Sequence, residues 1–353
     1  MGIRTRAFAN NILSGGVFDA TDLDGTIPSS NIADASVTNI TDVPALVATT
    51  TVSSDPPAPD AGEIWYNTTE QKLKGYFLLG AWATGGNLNT ARSALGGTGT
   101  QTEALAFGGE AGPPSSATEE YNGSSWSNGG SLATARYGLG GAGTQTAGLA
   151  ISGYNGVNLP ATEEYDGSTW TSGGAVSTAR RLMGSTGLQT AALIFSGYTT
   201  ANTAVTEEYN GTSWTAGGNV NIARHYIPGT GTQTAGLAFG GLVPPATGST
   251  EEYDGSAWTA GGNLNTARSS LSGAGLQTAT LAFGGQVPPY TAITEEYNGS
   301  TWSNTISLST ARYNLAGAGT LPSAIAFGGD TTGFQSVTEE WTNALTAQEL
   351  GAS

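Results

Sequence analysis

Two adjacent glutamates, Glu119 and Glu120, begin a series of acidic pairs that recurs every 44 residues and ends at Glu339 and Glu340. Paired carboxylates supply the acid, base and nucleophile of glycoside hydrolysis, so the series suggests a row of hydrolytic sites. Adjacent side chains of a β-strand, however, point to opposite faces of the sheet. If each pair lies on a strand, its two carboxylates cannot share one site. We therefore expect one glutamate of each pair to contact a repeated arginine or backbone N–H groups, and the other to be solvated.

Other residue types that catalyse reactions or bind metals are scarce. The chain has no cysteine and one histidine, His225, which excludes thiolate metal sites, thiol nucleophiles and histidine clusters for zinc. The stretch "DATDLDG" at 19–25 resembles a calcium loop only loosely, because it lacks an acidic residue at position 20 and a terminal glutamate. We expect no metal and no cofactor. Two interpretations of His225 stay open: an ordinary rim residue, or a member of the binding face described below.

Charge and hydropathy exclude two classes of partner. The net charge is -16, and nucleic-acid binding requires clustered lysine and arginine, so we expect no nucleic-acid partner. The sequence contains no long apolar run, and its start, "MGIRTRAFANN", lacks the apolar core of a secretion signal. We expect no membrane insertion.

The acidic pairs belong to a repeat that never gains or loses a residue. Each 44-residue unit reads as four short strands separated by turn residues, with Asn-Gly or Asp-Gly dipeptides that favour a two-residue hairpin turn. Four antiparallel strands in about 40 to 50 residues make one propeller blade. The period is marked by Trp82, Trp126, Trp170, Trp214, Trp258 and Trp302, and by Arg92, Arg136, Arg180, Arg224, Arg268 and Arg312.

The order of residues within each unit resembles the kelch motif. An arginine is followed by an apolar segment ending in Gly-Gly, then Glu-Tyr-Asn/Asp-Gly and a tryptophan, over about residues 78–341. The resemblance implies an all-β fold, a six-bladed kelch-type β-propeller. The departures are Ser152 and Ser196 in place of the first glycine, and Trp341 in place of tyrosine.

Enzymes built on propellers need residues that this chain lacks. Galactose oxidase, which is similar in its kelch propeller, needs a Tyr-Cys cofactor and histidine ligands to copper, and this chain has neither the cysteine nor enough histidine. The segment 166–170 resembles the Asp box of sialidases, but its glycine directly follows the aspartate. We expect a protein without enzymatic activity. A carbohydrate-active propeller enzyme stays the alternative.

Closure of the ring is predicted from where the chain enters and leaves the repeat. The chain enters near Phe77 and Trp82, which align with the third and fourth strands of a blade, and it leaves at "TEEW" (338–341) before a fourth strand. An open ring would leave strand edges unpaired. We therefore expect residues 77–84 to complete the last blade.

The repeats differ from one another at one end of the blades. Eight residues lie between Gly-Gly and Thr-Glu-Glu in every copy, and their types vary while their number does not. The residue after each repeated arginine also varies, and the strand order places it on the same face as these loops. Such loops on a rigid scaffold are typical of binding surfaces, and relaxed selection on exposed loops is the alternative. The hypothetical receptor face consists of Tyr137, Tyr154, Arg181, Tyr198, His225, Tyr290, Tyr313 and Phe334.

The first 75 residues have a different composition, rich in Ser, Thr, Asn, Asp and Pro, and cannot bury a core of their own. They resemble the N-terminal regions of tailed-phage tail-fibre and appendage proteins. This resemblance implies a virion protein that attaches to other virion proteins, or to copies of itself in a homotrimer, and binds a host-surface receptor such as a glycan. A capsid decoration or assembly protein is the alternative. The predicted divisions are an anchoring segment at 1–60, a β-hairpin connector at 61–77, the propeller at 78–345 and a tail at 346–353.

Overall fold

The computed structural model describes residues 50–57 and 63–349. These residues form strands and turns, and none of them belongs to a helix long and apolar enough to cross a membrane. The predicted calcium-like stretch and most of the anchoring segment lie outside the described residues, as does the end of the predicted tail. The chain divides into two compact units, Met1–Leu79 with Asn343–Ser353, and Gly80–Thr342.

The first unit contains the predicted hairpin. Strand β2 (Ile64–Asn67) pairs antiparallel with the beginning of β3 (Lys72–Thr84), and β1 (Thr50–Val52) pairs parallel with β2. The hairpin expected within residues 61–77 is therefore present.

A small buried cluster holds this hairpin together. Trp65 is fully buried, and its ring stacks on that of Tyr76 at a centroid distance of 4.7 Å. Asp55 accepts hydrogen bonds from Trp65 Nε1 at 3.0 Å and from Lys74 Nζ at 2.8 Å. The hydrogen bond from Lys74 is the largest of the effects that lower the pKa of Asp55 to about 2. A charged carboxylate thus links the segment before β2 to β3.

The second unit is a β-propeller of six antiparallel four-stranded sheets, as predicted. Its innermost strands are rich in glycine, and the last four residues of each second strand are buried. The first five blades are β4 (Gly96–Gly99), β5 (Ala104–Phe107), β6 (Thr118–Tyr121) and β7 (Trp126–Asn128); β8 (Gly140–Gly143), β9 (Gly148–Ile151), β10 (Thr162–Tyr165) and β11 (Trp170–Ser172); β12 (Gly184–Leu188), β13 (Ala191–Phe195), β14 (Thr206–Tyr209) and β15 (Trp214–Ala216); β16 (Gly229–Gly231), β17 (Gly236–Phe239), β18 (Thr250–Tyr253) and β19 (Trp258–Ala260); and β20 (Ser272–Leu276), β21 (Ala279–Phe283), β22 (Thr294–Tyr297) and β23 (Trp302–Thr305).

The sixth blade is completed by the strand that enters the propeller. It consists of β24 (Ala316–Thr320), β25 (Ser323–Phe327), β26 (Thr338–Glu349) and the part of β3 from Gly80 onward, in that spatial order. The innermost strands lie side by side around the axis, with β24 next to β4. The ring is closed, and the predicted closure is confirmed.

Aromatic side chains fill the space between neighbouring blades, as expected. The ring of Phe107 in blade one packs against Trp170 of blade two at a centroid distance of 5.0 Å. Trp170 Nε1 also donates to Thr118 Oγ1 of blade one at 2.9 Å, so its one polar atom is satisfied. The same Trp-to-Thr hydrogen bond links every neighbouring pair of blades: Trp82–Thr294, Trp126–Thr338, Trp170–Thr118, Trp214–Thr162, Trp258–Thr206 and Trp302–Thr250.

The first glutamate of each acidic pair is buried in an ion pair with the repeated arginine. Arg136 Nη1 lies 2.8 Å from Glu163 Oε1, and Ala133 N donates to the other oxygen of Glu163 at 2.7 Å. This half of the prediction is confirmed. The arrangement recurs as Arg92–Glu119, Arg136–Glu163, Arg180–Glu207, Arg224–Glu251, Arg268–Glu295 and Arg312–Glu339.

The second glutamate is not simply solvated, and that half of the prediction is wrong. Tyr165 Oη of blade two donates to Glu120 Oε1 of blade one at 2.5 Å. Burial and this bond raise the pKa of Tyr165 to about 12. In five of the six blades, such a bond ties the carboxylate to the tyrosine of the next blade. The bonds are Tyr121–Glu340, Tyr165–Glu120, Tyr209–Glu164, Tyr253–Glu208 and Tyr297–Glu252.

Backbone hydrogen bonds close the Asn/Asp-Gly turns around two residues, as predicted, but the dipeptide is shifted by one residue. Asn122 N donates to Ser125 O at 3.2 Å, so Gly123 and Ser124 lie between the bonded residues, and the side chain of Asn122 caps the turn. Its Oδ1 accepts hydrogen bonds from the backbone N atoms of Ser124 and Ser125 at 3.0 and 2.9 Å. Asn or Asp is thus needed for its side-chain oxygen as well as for its backbone preference.

Candidate functional site

One end of the propeller carries the eight-residue loops and the residues that follow the repeated arginines, all of which vary between repeats. The residue after each repeated arginine forms an isolated β-bridge with the first residue of the eight-residue loop in the same blade. We call the six bridged positions and the loops that follow them the varied face. The bridges are Ser93–Glu110, Tyr137–Tyr154, Arg181–Tyr198, His225–Leu242, Ser269–Gln286 and Tyr313–Asp330.

A closed ring of backbone hydrogen bonds fixes the spacing of these positions. The residue two positions after each repeated arginine adopts a left-handed conformation, with φ between 48° and 60°. Its N–H donates to the carbonyl of the equivalent residue in the preceding blade, at 2.7 to 3.0 Å. Non-glycine residues in this conformation are uncommon, so the ring maintains a locally unfavourable backbone. The ring runs through Ala94, Gly138, Leu182, Tyr226, Ser270 and Asn314.

The central channel offers no acid or base. It forms a cavity of about 320 Å³ lined by the innermost strands, whose side chains are small or aliphatic. In the part of the chain that the structure describes, no ionisable side chain lines this cavity. Residues 50–57 and 63–349 also contain no group of three or more His, Cys, Asp or Glu side chains placed to hold a metal ion.

Five of the eight predicted receptor-face residues lie together across blades two, three and four. The guanidinium carbon of Arg181 lies 4.1 Å from the ring centroid of Tyr154 and 5.0 Å from that of Tyr198. The Tyr154 ring meets the Tyr137 ring edge-on at 5.6 Å, and the Tyr198 ring lies 5.1 Å from His225. All five side chains are half-buried. We call this group the Arg181 cluster.

The other three predicted residues are separate from this group. The rings of Tyr290 and Tyr313 stack at a centroid distance of 6.1 Å, and they link the loop of blade five to blade six. Phe334 forms a bridge with Asp330 inside its own loop. The varied face therefore carries one cluster with a cation, one tyrosine pair and one single aromatic residue.

Two asparagines that the sequence analysis missed orient the polar members of the Arg181 cluster. Asn158 Oδ1 accepts from Arg181 Nη1 at 2.9 Å, while its Nδ2 donates to Thr199 O at 3.1 Å. Asn202 occupies the same loop position in the next blade, and its Oδ1 lies 2.7 Å from His225 Nδ1. Their shared position, fifth in the loop, was visible in the sequence, but their contacts are with the following blade.

The bonds of Asn202 also determine the tautomer of His225. Asn202 Nδ2 donates to the carbonyls of Leu242 and Ala223, at 3.2 and 3.4 Å, which leaves its Oδ1 as an acceptor. His225 Nδ1 must therefore carry the proton, and Nε2 has a free lone pair when the ring is neutral. Burial, followed by the positive charge of Arg181, lowers the pKa of His225 below its ordinary value. The ring is neutral at pH 7.

The pKa values of two tyrosines near His225 and Arg181, Tyr137 and Tyr226, are raised. Burial is the largest cause that raises the pKa of Tyr137, followed by the negative charge of Glu110, and Arg181 acts in the opposite direction. Burial likewise raises the pKa of Tyr226, whose ring lies 4.9 Å from His225. Tyr226 also belongs to the left-handed ring, and the sequence analysis did not include it. The cluster thus offers one fixed cation, several tyrosine rings and one neutral imidazole.

Comparison with known proteins does not assign a family. No protein-family model matches the chain, and a search of curated proteins found no match.

Proposed function

We propose that this chain is a non-enzymatic virion protein of a tailed phage, and that the varied face of its propeller binds a receptor on the host surface. In this proposal residues 1–60 attach the chain to other virion proteins, and a homotrimer presents three propellers. The kelch-like repeat supplies the scaffold.

The observation that carries the proposal is the contrast between the two kinds of position in one repeat. Ion pairs, Trp–Thr bonds and the left-handed ring recur in all six blades, whereas the varied face has a different composition in each. Relaxed selection on exposed loops predicts side chains that make few contacts with each other. The Arg181 cluster instead connects three blades through half-buried rings and two asparagines. Such fixed side chains on a rigid scaffold favour recognition.

The chemistry of the varied face suits a glycan. Tyrosine rings present flat apolar surfaces to sugar rings, and asparagine and histidine offer hydrogen bonds to hydroxyl groups. One such contact area is small, so each propeller binds weakly. Several copies on one particle bind firmly, because tethering makes every contact after the first effectively intramolecular.

The experiment compares two loop variants of the full-length chain. In the first, the sequence of residues 110–117 replaces the other five varied loops. In the second, a control, Leu188→Thr and Leu276→Thr change two exposed hairpin-turn residues to the type found in other repeats. Circular dichroism and thermal melting verify that both variants fold. Fluorescently labelled proteins are then tested for binding to a panel of bacterial strains.

We expect the wild-type chain and the control to bind cells. The loop replacement should lose this binding. Immunogold labelling of phage particles with antibodies to the propeller should place the protein on virions. Equal binding by the loop replacement and the wild type would show that the varied face is not the receptor surface. A role in capsid decoration or assembly would then be the better explanation.

A further inference from the structure

Arg181 is the one arginine of the propeller that stands outside the repeated ion pairs. Residues 80–342 contain seven arginines and no lysine, and six of the arginines are those of the repeat. Each of these six is paired with a buried glutamate. Among the residues that the structure describes, no carboxylate forms an ion pair with Arg181. A chain with net charge -16 therefore presents an uncompensated cation on its varied face.

The guanidinium group is held in place before any ligand binds. Two tyrosine rings flank it, at 4.1 and 5.0 Å, and Asn158 Oδ1 accepts from its Nη1. Its Nε and Nη2 have no hydrogen-bond partner among the described residues. A half-buried cation loses hydration, and this loss is compensated when its free donors bind an anion. Because the Arg181 side chain is already held in place, less of its conformational entropy is lost when a ligand binds.

The free donors define the kind of anion. A guanidinium edge binds the two oxygens of a carboxylate through parallel hydrogen bonds, and it binds phosphate in a similar way. Here one positive charge stands in a strongly acidic protein, with Glu110 close enough to raise the pKa of the neighbouring Tyr137. A group with a single negative charge suits this field better than a phosphate monoester, which carries nearly two. Polyanions such as nucleic acids are repelled.

The neighbours of Arg181 define what the anionic group is attached to. Tyr137 and Tyr198 present ring surfaces beside the cation, and neutral His225 offers Nε2 as an acceptor for a hydroxyl group. A sugar ring supplies both an apolar face and hydroxyl groups. We infer that the Arg181 cluster is a binding site for a carboxylate-bearing sugar, with the carboxylate on Arg181 Nε and Nη2. This inference rests on the proposed function, since it names the class of glycan that the varied face recognises.

The test uses His225 as a reporter, because it is the one histidine in the chain and lies in the site. Full-length protein labelled with 15N-histidine is titrated with methyl β-D-glucuronide and N-acetylneuraminate as carboxylate probes. Methyl β-D-glucoside is the neutral probe, and glucose 6-phosphate is the phosphate probe. The variants are Arg181→Gln and Arg181→Lys, with Leu276→Thr as a control at a hairpin turn between the first two strands of a blade.

We expect saturable shifts of the His225 resonances with at least one carboxylate probe and none with the neutral glycoside. Arg181→Gln should weaken that binding about tenfold to a hundredfold, as expected for a charged hydrogen bond, and Leu276→Thr should not change it. Arg181→Lys keeps the charge but loses the paired donors, so its affinity for the probe should lie between those of the wild-type chain and Arg181→Gln. Circular dichroism verifies that each variant is folded.

Four results would overturn the inference. The first three are equal shifts with the neutral glycoside, unchanged binding by Arg181→Gln, and shifts with glucose 6-phosphate but with neither carboxylate probe. Absence of shifts with every probe would also overturn it. These outcomes are separate from the proposed receptor role of the varied face, which fails if the loop replacement still binds cells. If Arg181→Gln binds cells normally while the loop replacement does not, the varied face is a receptor surface but this site is not the one used.

Discussion

A Cβ atom on Gly80 would lie 1.7 Å from Cζ2 of Trp341, so the indole ring of the last repeat occupies the space where a side chain would begin. In the other blades the position of Gly80 is occupied by serine or threonine, and the position of Trp341 by tyrosine. The two departures from the repeat therefore compensate each other. They occur where the entering strand β3 meets β26, which is the join that closes the ring.

The first prediction is that Gly80 and Trp341 are energetically coupled. Gly80→Ser should destabilise the chain by about 1–3 kcal/mol, because the serine side chain overlaps a fully buried indole. Adding Trp341→Tyr should recover most of that loss, since it restores the pair found in the other blades. Urea unfolding of both single variants and the double variant measures the coupling. If the loss of unfolding free energy in the double variant equals the sum of the losses in the two single variants, the coupling is contradicted. Ser124→Gly, at the equivalent position in blade one, is the matched control.

The second prediction concerns two of the buried ion pairs. Arg268 donates from Nε to Gly284 O and from Nη2 to Ala282 O, in addition to its pair with Glu295. Arg180 lies 3.1 Å from Glu207, but its Nε, Nη1 and Nη2 have no hydrogen-bond partner among the described residues. Burial lowers the pKa of Arg180 to about 10. Its charge is thus compensated by Glu207 alone, without the backbone carbonyls that Arg268 contacts.

Arg268→Met should cost about 3–5 kcal/mol, as expected when one partner of a buried pair is removed, and Arg180→Met should cost clearly less. The two substitutions are otherwise matched, since both arginines are fully buried and methionine fills a similar apolar volume. Urea unfolding monitored by tryptophan fluorescence measures the difference. An equal or greater loss for Arg180→Met would show that the missing hydrogen bonds do not weaken its pair.

Much of the fold follows from the sequence because a rigid period removes most alternatives. The period specified the number of blades, and the entry near Trp82 and exit at Trp341 specified the closing strand. The prediction for Glu120 failed because its partner, Tyr165, belongs to the next blade. A repeat shows that both residues recur, but it does not show which blade supplies the partner.

The sequence predicted which end of the propeller carries the candidate site, but not which side chains contact one another there. Alternation of strand direction placed Tyr137 and Tyr154 at one end of the blades, and the bridge between them agrees with this. The sequence could not show that Arg181 lies between two tyrosine rings, because ring positions depend on the angle between blades. Asn158 was missed for the same reason: its acceptor oxygen serves the arginine of the following blade.

The third prediction concerns the tyrosines that join neighbouring blades. The pKa of Tyr121, Tyr165, Tyr209 and Tyr253 is raised to about 12, by burial first and then by the hydrogen bond to glutamate. In the unfolded chain these phenols ionise near pH about 10. The folded state then holds more protons than the unfolded state at intermediate pH. Stability should therefore be complete below about pH 10 and fall as the pH rises toward 12.

Absorbance at 295 nm during alkaline titration measures these phenols directly. We expect a group of tyrosines that ionises only near pH 12 or when the chain unfolds. Tyr165→Phe should remove one member of the group and lower the urea midpoint at neutral pH, because Glu120 loses its donor. Tyr290→Phe, which removes a hydroxyl from the varied face, is the control and should leave that group unchanged. Ionisation of all tyrosines together near pH 10 would contradict the prediction.

The fourth prediction concerns His225, which shares a site with the positive charge of Arg181. Burial, and next the Arg181 charge, lowers the pKa of His225, while a hydrogen bond from its imidazole to the backbone of Leu242 acts in the opposite direction. Removing the positive charge makes protonation easier, so Arg181→Gln should raise the pKa of His225. Arg181→Lys should raise it less, because the charge remains. A two-dimensional NMR titration of the 15N-histidine-labelled wild-type chain and of each variant measures the pKa of His225 directly, because the chain has one histidine.

The same titration tests how the imidazole is held. Asn202→Ala removes the acceptor of His225 Nδ1–H, so the ring should lose its tautomer preference, which the 15N shifts of the two ring nitrogens report. Asn158→Ala is the matched variant at the same loop position one blade earlier, and it should leave the tautomer unchanged while loosening Arg181. An Nε2–H tautomer in the wild-type chain would contradict the assigned hydrogen bonds. A His225 pKa that does not respond to Arg181→Gln would show that the guanidinium charge does not reach the imidazole, and that the cluster does not act as one electrostatic site.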